Sequence, residues 1–235
     1  MKTIVLCGGK GTRLGALGER DPKPLLPIGD EPILWHILKI YESFGHRDFV
    51  LCLGHLKERF SEWATSAGDE WTVSLIDTGL DTPTGGRIYE ARQSVGDDED
   101  DFFVTYGDGV ADVDLDGLLR FHRDHGKIAT VTAVRPEGTF GIMHLAENNA
   151  VNAFEEKPRM RDWVNGGFFV FRREIFDYLD ETSVLEREPL EQLAAKGELM
   201  AYPHHGFWAC MDTYKDNVAL NQSWLSGEAP WKVWA

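Results

Sequence analysis

Apolar runs separated by amphipathic stretches dominate the first 135 residues. Five segments are predicted to be strands: 3–7, 48–53, 71–77, 102–106 and 128–134. Most of them are unbroken apolar runs, which are typical of parallel strands covered on both faces. Apolar residues recur at helical spacing from Ile33 to Phe44 until Gly45 ends the pattern, so a helix is predicted there. This alternation predicts an α/β fold with a doubly wound, mostly parallel, Rossmann-like sheet that binds ligands beyond the carboxyl ends of its strands.

Beyond residue 135 the alternation gives way to shorter apolar segments and glycines. Strands are predicted at 140–143, 151–154 and 164–171, and helices at 174–179, 188–195 and 214–220. A chain of 235 residues is compatible with one α/β domain. We therefore expect a single domain, 1–235, in which the second half adds a smaller lobe to the first.

Charge and hydropathy exclude two classes of partner. The formal net charge of −15 argues against nucleic acid, because phosphate backbones require a basic surface. No apolar run approaches the roughly 20 residues that span a bilayer, so no membrane partner is expected. Met1 and Lys2 lead directly into the first predicted strand without the features of a signal peptide. A cytoplasmic protein is expected.

A glycine-rich segment follows the first predicted strand. Gly8, Gly9 and Gly11 leave room for backbone N–H groups to approach an anion, although the spacing is neither that of a P-loop nor that of the dinucleotide-binding fingerprint. Taken alone, the segment is as compatible with an ordinary turn as with a binding site. Arg13 and Lys23 add positive charge beside it, which favours a phosphate site and suits a triphosphate.

Asp108 lies between two glycines at the end of a predicted strand. A carboxylate in that position faces the cleft with room for a metal ion. A role in the turn alone is the less favoured alternative, because Gly107 and Gly109 would form the turn without a charge.

Two other segments carry alternatives that the residues leave open. Gly85 and Gly86 could expose backbone amides to a nucleobase, or could form the first turn of a helix. Glu156 could accept hydrogen bonds from vicinal hydroxyls, and Lys157 could bind a phosphate. By itself, however, a Glu-Lys pair in a turn is more typical of surface charge.

The segments Gly8–Leu14 and Lys23–Gly29 together resemble the signature of the sugar-1-phosphate nucleotidyltransferases. The resemblance implies transfer of a nucleotidyl group from a nucleoside triphosphate to a sugar 1-phosphate. It also implies that 1–135 mainly bind the nucleotide and 136–235 mainly the sugar. Mg²⁺ is the implied cofactor, held by Asp108 and by Asp212 of the closing motif. From the residues alone, Asp212 could equally cap the terminal helix.

The same resemblance implies a set of site residues. Nucleotide contacts are expected from Leu6, Gly8, Gly9, Gly11, Thr12, Arg13, Lys23, Gly85, Gly86 and Asp108. The sugar phosphate is expected to contact Gly141, Glu156, Lys157, Asn165 and Gly166. The expected catalytic residues are Arg13, Lys23, Asp108 and Asp212. The two cations would stabilise the phosphates, and the two carboxylates would hold the metal.

Seven further segments resemble the cytidylyltransferase branch of that family: 32–37, 77–79, 84–87, 106–112, 165–169, 197–200 and 229–232. This resemblance implies CTP and α-D-glucose 1-phosphate as substrates, CDP-glucose as the product for deoxysugar synthesis, and a homo-oligomer. The stretch between Trp63 and Trp71 is shorter than in that branch, which leaves the oligomeric state open. Two alternatives also stay open: a sister enzyme using dTTP, UTP or another phosphorylated acceptor, and a non-catalytic nucleotide-sugar sensor.

Overall fold

The computed structural model describes residues 1–11, 14–15, 18, 20–66, 70–96 and 99–234. Within them the strands are β1 (Lys2–Leu6), β2 (Pro27–Ile28), β3 (Glu31–Pro32), β4 (Asp48–Leu53), β5 (Thr72–Asp77), β6 (Asp101–Tyr106), β7 (Gly109–Ala111), β8 (Ala129–Val134), β9 (Ile142–Leu145), β10 (Val151–Glu155), β11 (Val164–Arg172), β12 (Leu199–Pro203) and β13 (Trp208–Cys210). The α-helices are α1 (Ile33–Ser43), α2 (Lys57–Ser66), α3 (Thr84–Glu90), α4 (Leu115–His125), α5 (Glu188–Ala195) and α6 (Tyr214–Leu225). Short 3₁₀ helices lie at Lys23–Leu25, Ala91–Ser94 and Arg173–Tyr178.

Seven strands form the central sheet in the order β12-β8-β11-β6-β1-β4-β5. β1 pairs in parallel with both β4 and β6, β4 pairs in parallel with β5, and β12 with β8. Leu6 at the end of β1 lies level with Cys52 and Tyr106 on its two neighbours. The carboxyl ends of these three strands therefore open onto one edge of the sheet, which is where α/β proteins bind ligands.

Helices cover both faces of the sheet. Leu34 of α1 and Leu118 of α4 are buried in the core on one face, and Ile88 of α3 and Leu193 of α5 in the core on the other. Each buried leucine or isoleucine contributes about 1.5–3 kcal/mol relative to an exposed one. The doubly wound arrangement predicted from the apolar runs is confirmed.

Strand β11 departs from the parallel pattern. It runs antiparallel between β6 and β8 and is nine residues long. The sequence predicted a strand here but assigned it to an added lobe, whereas its residues Phe168–Phe171 are buried in the central sheet. The helix predicted at 174–179 is a 3₁₀ helix over Arg173–Tyr178. The functional division into a nucleotide half and a sugar half stays a prediction.

The terminal helix α6 begins with a capping box. The Thr213 side chain accepts a hydrogen bond from the backbone N–H of Asp216, whose carboxylate accepts one from the backbone N–H of Thr213. The alternative that Asp212 caps this helix is therefore wrong, because the residue after it satisfies the first turn. No helix in the described ranges is long and apolar enough to cross a membrane.

His36 of α1 connects the β2–β3 hairpin to the C-terminal segment. Its Nε2 donates to the carbonyl of Ile28 at 2.9 Å, and its Nδ1 accepts from the indole of Trp231 at 3.4 Å. The ring of Trp224 lies edge-on to the imidazole at a centroid distance of 4.5 Å. Burial lowers the pKa of His36 to about 4, so the neutral ring is the stable form.

We expect the free energy of unfolding to fall as the pH is lowered from 6.5 towards 4. Burial lowers the pKa of both His36 and His122 from 6.5 to about 4. The unfolded chain then binds protons that the folded chain does not, which costs about 1.4 kcal/mol per pH unit for each histidine. Urea unfolding across this range measures the slope. In His36→Gln the glutamine amide can still donate to the carbonyl of Ile28, so the slope should be shallower by about 1.4 kcal/mol per pH unit, the contribution of one histidine. An unchanged slope would contradict the low pKa assigned to His36.

Candidate active site

The glycine segment after β1 lines a cavity of about 580 Å³ at the carboxyl edge of the sheet. Leu6, Gly8, Gly9 and Gly11, all predicted to contact a nucleotide, contribute to its wall. Gly11 has a φ of +60°, a left-handed conformation that glycine adopts without strain. The predicted phosphate-binding residues Thr12 and Arg13 lie outside the described residues.

The ammonium group of Lys23 lies between two carboxylates. Its Nζ is 2.6 Å from Asp108 Oδ2 and 2.6 Å from Asp212 Oδ1. Asp108 follows β6 and Asp212 follows β13, and the backbone N–H of Met211 donates to the Asp108 carbonyl at 2.8 Å. Burial opposes the charge on Lys23, but the two carboxylates outweigh it and raise the pKa of the ammonium above 10.5. The three predicted catalytic residues that the structure describes are thus brought together.

This cluster also offers the donors of a metal site. Asp108, Cys210 and Asp212 each present one ligand atom, and these atoms lie within 4.8 Å of one another. Carboxylate oxygens suit Mg²⁺, whereas a thiol suits softer metals. Burial, followed by the negative charge of Asp108, raises the pKa of Cys210 and keeps it a neutral thiol. The two predicted carboxylates therefore fit Mg²⁺, and the position of the Lys23 ammonium between them shows that a cation is accommodated there.

A second cavity of about 530 Å³ adjoins the first and shares Tyr106, Asp108 and Asp212 with it. Asn165 and Gly166, both predicted to contact the sugar phosphate, line this second cavity. The Asn165 amide is held in place, since its Nδ2 donates to the Tyr106 hydroxyl at 3.1 Å and its Oδ1 accepts from the backbone N–H of Gly167 at 2.8 Å. One carboxylate pair thus separates a glycine-lined cavity from an amide-lined cavity.

Arg87 connects the loops around the first cavity, a role that the sequence did not predict. The guanidinium is almost fully buried and donates to the carbonyls of Leu53, Gly8, Gly79 and Leu80 and to the hydroxyl of Thr78, at distances from 2.6 to 3.3 Å. A Cβ atom at Gly8 would lie 2.0 Å from the Arg87 Cζ, so only glycine leaves room for this packing. Arg87 therefore fixes the glycine segment relative to the loop after β5.

The sequence matches the family model for nucleotidyl transferases over residues 2–213. The chain belongs to this family. It is 42% identical over 258 residues to the glucose-1-phosphate cytidylyltransferase of Salmonella typhi and 40% identical over 257 residues to the probable glucose-1-phosphate cytidylyltransferase of Bacillus subtilis (strain 168). Both alignments cover 100% of each chain. The crystal structure of HddC from Yersinia pseudotuberculosis has the same fold, with a TM-score of 0.76 and 20% identity over 95% of this chain and 99% of that chain.

These matches confirm the family resemblance and the fold predicted from the sequence. Sequence identity of 40–42% over the full length of these nucleotidyltransferases also shows that the chain is an enzyme of this type. The alternative of a non-catalytic sensor is therefore set aside. Members of the nucleotidyl transferase family generally use a divalent metal ion, in agreement with the pair of carboxylates at the junction of the cavities.

In this nucleotidyl transferase, Glu186 bridges the walls of the two cavities. Its Oε2 accepts from the Thr84 hydroxyl at 2.6 Å, and its Oε1 accepts from the Tyr106 hydroxyl at 2.5 Å. Thr84 lines the first cavity, and Tyr106 lines both. Burial, followed by the negative charge of Glu186, raises the pKa of Tyr106 and keeps its hydroxyl a donor. No local motif marks Glu186, which is why the sequence did not point to it.

The two glycines predicted to contact a base, Gly85 and Gly86, are not part of the lining of the first cavity. Gly85 and Gly86 are in the first turn of α3 and are buried against the chain at 181–183. A Cβ atom would lie 2.7 Å from the Ser183 carbonyl at Gly85, and 2.3 Å from the Glu181 carbonyl at Gly86. Neither glycine lines the cavity, whose wall here consists of residues 80–84 and Arg87. The helix-turn alternative thus accounts for the position of both residues, and the predicted base contact stays a prediction.

Three predicted sugar-phosphate residues lie outside the linings of both cavities. Gly141, Glu156 and Lys157 belong to a segment between β8 and β11, whereas Asn165 and Gly166 lie in β11 itself. The Lys157 Nζ is 3.6 Å from Glu156 Oε1, and both side chains are exposed. The structure thus brings two of the five predicted residues to the carboxylates and leaves three outside both cavities.

We expect Arg87→Lys to lower the free energy of unfolding by about 2–4 kcal/mol. An ammonium group has three donors and cannot reach both loops, so buried carbonyls lose their partner at a cost of about 1–3 kcal/mol each before relaxation. Urea unfolding measures the change. The matched control is Arg92→Lys, because Arg92 stacks on Tyr89 and donates to its carbonyl. Equal losses in the two variants would contradict the role given to Arg87.

Proposed function

We propose that this nucleotidyl transferase joins CTP to α-D-glucose 1-phosphate and releases CDP-glucose and pyrophosphate. The observation that carries the proposal is the meeting of Lys23, Asp108 and Asp212 where the two cavities join. One cavity would take the nucleotide and the other the sugar, so that a phosphate oxygen of the sugar phosphate attacks the α-phosphorus in line. Full-length identity to relatives named glucose-1-phosphate cytidylyltransferase supports this pair of substrates.

The nucleotide phosphates would lie against the glycine segment. Backbone N–H groups at Gly8, Gly9 and Gly11 can donate to phosphate oxygens without interference from side chains. Lys23 would exchange its carboxylate partners for a phosphate oxygen and stabilise the negative charge that develops during transfer. Arg13 is proposed to act on the same phosphates.

Mg²⁺ is the proposed cofactor of this reaction. Asp108 and Asp212 would hold it, and when bound it would neutralise charge on the α-phosphate and the leaving pyrophosphate. The attacking phosphate oxygen is already ionised at neutral pH, so this chain needs no general base for the step. Its residues instead align the two substrates, which is the main requirement for phosphoryl-type transfer.

The sugar would be oriented by groups on β11. The Asn165 amide is held by Gly167 and Tyr106, and can present its remaining hydrogen-bonding positions to sugar hydroxyls. Glu156 and Lys157 are proposed to contact the hydroxyls and the phosphate of the sugar. Because both lie outside the second cavity, their segment must approach it when the sugar binds. A cytoplasmic location and a product used for deoxysugar synthesis belong to the same proposal.

A sister activity with another base is the second candidate. The HddC structure from Yersinia pseudotuberculosis has been determined in complex with GMP-PN, so this fold accommodates bases other than cytosine. The wall formed by residues 80–84 would decide the choice in this chain, since it lines the cavity beyond the glycine segment.

Pyrophosphate release tests the proposal directly. We expect Mg²⁺-dependent release from CTP in the presence of glucose 1-phosphate, and little release from UTP, dTTP, ATP or GTP or when the sugar phosphate is omitted. A preference for UTP or dTTP would show that cytosine is the wrong base, while the proposed nucleotidyl transfer would still hold. No release from any nucleotide by folded protein would contradict the glucose 1-phosphate assignment.

We expect Asp108→Asn to lower kcat by about 100-fold or more while the protein stays folded. The substitution removes the negative charge with which Asp108 would bind the metal and now pairs with Lys23. Loss of one preorganised group at a reacting centre typically lowers kcat by this amount. Steady-state kinetics and circular dichroism measure the two properties. Asp116→Asn is the control, because Asp116 is exposed on α4 and does not line either cavity. Ordinary turnover in the Asp108 variant would disprove the metal assignment.

A further inference from the structure

Cys210 lies beside the two carboxylates proposed to hold Mg²⁺, and its sulfur has no part in the proposed reaction. Within the described ranges, the one group of three side chains placed to share a metal ion consists of Asp108, Cys210 and Asp212, whose donor atoms lie within 4.8 Å of one another. Mg²⁺ takes oxygen ligands, so a magnesium site has no need of the sulfur. Sulfur suits a different class of divalent cation.

The backbone directs the Cys210 side chain towards the carboxylates. Cys210 and Asp212 both line the second cavity, whereas Met211 between them is fully buried in the core, as expected where side chains alternate. Cys210 also pairs with Gly109 across β13 and β7, and the backbone N–H of Met211 donates to the carbonyl of Asp108 at 2.8 Å. These pairings hold the sulfur next to both carboxylates.

The other two cysteines have different surroundings. Cys7 and Cys52 are 1% and 0% exposed, and neither belongs to a group of three possible metal ligands among the residues that the structure describes. The Cys52 thiol donates instead to the carbonyl of Arg87 at 3.5 Å. Cys210 is only half-buried. A metal ion that enters the second cavity therefore meets the Cys210 sulfur.

The three donors match the ligands that Zn²⁺ takes in proteins. Zn²⁺ binds thiolate sulfur at about 2.3 Å and carboxylate oxygen at about 2.0–2.2 Å, commonly in tetrahedral geometry. Ligand atoms at these distances are roughly 3.5 Å apart. The donors of Asp108, Cys210 and Asp212 are thus close to the required separation. Three protein ligands would leave the fourth position open to water or a substrate.

The charges around the cluster would balance in such a complex. Cys210 binds a metal as the thiolate and releases its proton to solvent. Two carboxylates and one thiolate then oppose the divalent cation and the ammonium of Lys23, whose Nζ is 2.6 Å from an oxygen of each carboxylate. The flexible stem of Lys23 allows the ammonium to move aside and stay paired with a carboxylate. A partly buried site of this kind requires charges that are paired.

We infer that Cys210 is a third ligand of this site for Zn²⁺ and for cations that share its affinity for sulfur. Mg²⁺ uses the two carboxylates and leaves the thiol protonated. Zn²⁺ is held by Asp108, Cys210 and Asp212 together. Cys210 therefore determines how strongly the site prefers Zn²⁺ to Mg²⁺.

One consequence concerns turnover and rests on the proposed function, whereas the ligand role of Cys210 does not. Mg²⁺ has six positions, of which two carboxylates leave up to four for phosphate oxygens and water. A tetrahedral cation held by three protein ligands has one position left. It cannot contact the α-phosphate and the leaving pyrophosphate together, so we expect Zn²⁺ to inhibit the enzyme.

Cobalt absorption tests the ligand role of Cys210 directly. Co²⁺ accepts the same ligands as Zn²⁺, and its bond to a thiolate gives an intense charge-transfer band that carboxylates do not produce. We expect the full chain to develop this band and to saturate at one Co²⁺ per chain. Cys210→Ala should lack the band, whereas the control Cys52→Ala, at a buried cysteine away from the carboxylates, should keep it.

Two results would overturn the inference: no charge-transfer band in the wild type, or a band that survives in folded Cys210→Ala. Circular dichroism shows whether the variant is folded. If it is not, Cys7→Ala and Cys52→Ala assign the band by elimination. Retention of the band in both supports Cys210, and its loss in either would overturn the assignment.

Metal affinities provide a second measurement. Calorimetric titration of the wild type and of Cys210→Ala should show Zn²⁺ affinity lower by about 100-fold or more in the variant, since even partners beyond the ligands change metal affinity by about 10–100-fold. Mg²⁺ affinity should be unchanged. Equal Zn²⁺ affinities, or an equal loss of affinity for both metals, would contradict the role of the sulfur.

Inhibition of pyrophosphate release tests the consequence for turnover. With Mg²⁺ present, Zn²⁺ should inhibit the wild type at a several-fold lower concentration than Cys210→Ala. Equal inhibition would refute this consequence, while the Co²⁺ spectrum still decides the ligand role. A wild type that releases no pyrophosphate would contradict the proposed function, and the spectrum, which needs neither substrate, would still test Cys210.

Discussion

The parallel pairing of β1 with both β4 and β6 determines where the functional groups of the site lie. Because Leu6 is level with Cys52 and Tyr106, the segments that follow the three strands leave the sheet side by side. Glycines allow these segments to touch: a Cβ atom at Gly54 would lie 2.8 Å from the carbonyl of Gly8. Asp108 follows β6 at this edge, where it meets Lys23 and the strand pair that carries Asp212. The place where Asp108, Lys23 and Asp212 meet is thus a consequence of strand register.

Bringing loops so close together also gathers their carbonyl oxygens, and Arg87 resolves the repulsion between them. Its guanidinium has five oxygen acceptors, none of them a carboxylate. Burial lowers the pKa of Arg87 from an ordinary value far above neutral pH, so the side chain remains a cation. A buried cation in the wall and the ammonium of Lys23 make this cavity attractive to phosphates although the chain has a net charge of −15. Charges beyond about 10 Å are largely screened, so Arg87 and Lys23, rather than the distant acidic surface, determine how strongly this cavity attracts an anion.

The sequence alone predicted those features of the fold and of the site that depend on neighbouring residues in the chain. Unbroken apolar runs predicted the parallel strands, and glycines beside Asp108 and before Lys23 predicted the groups that meet at the cavities. The direction of β11 could not be predicted, because an apolar run buried on both faces has no polarity. Arg87 and Glu186 were missed for different reasons. Four of the five acceptors of Arg87 are backbone carbonyls, which no side-chain motif marks, and the partners of Glu186 lie 80 and 102 positions away. Gly85 and Gly86 left two interpretations open, because a glycine that admits a neighbouring chain looks, in sequence, like one that admits a ligand.

The fold positions the groups proposed for the two substrates to different degrees. The described groups proposed for the nucleotide and for catalysis lie together beside the first cavity: Arg87 holds the carbonyl of Gly8, and Lys23 meets Asp108 and Asp212. Groups proposed for the sugar are divided between β11, which lies inside the sheet, and the segment between β8 and β11, where Glu156 and Lys157 are exposed and lie outside both cavities. Catalysis of in-line transfer depends on alignment of both reactants. Alignment of the attacking phosphate would therefore depend on how the segment that carries Glu156 and Lys157 approaches the second cavity, whereas the groups proposed for the triphosphate already lie beside the first.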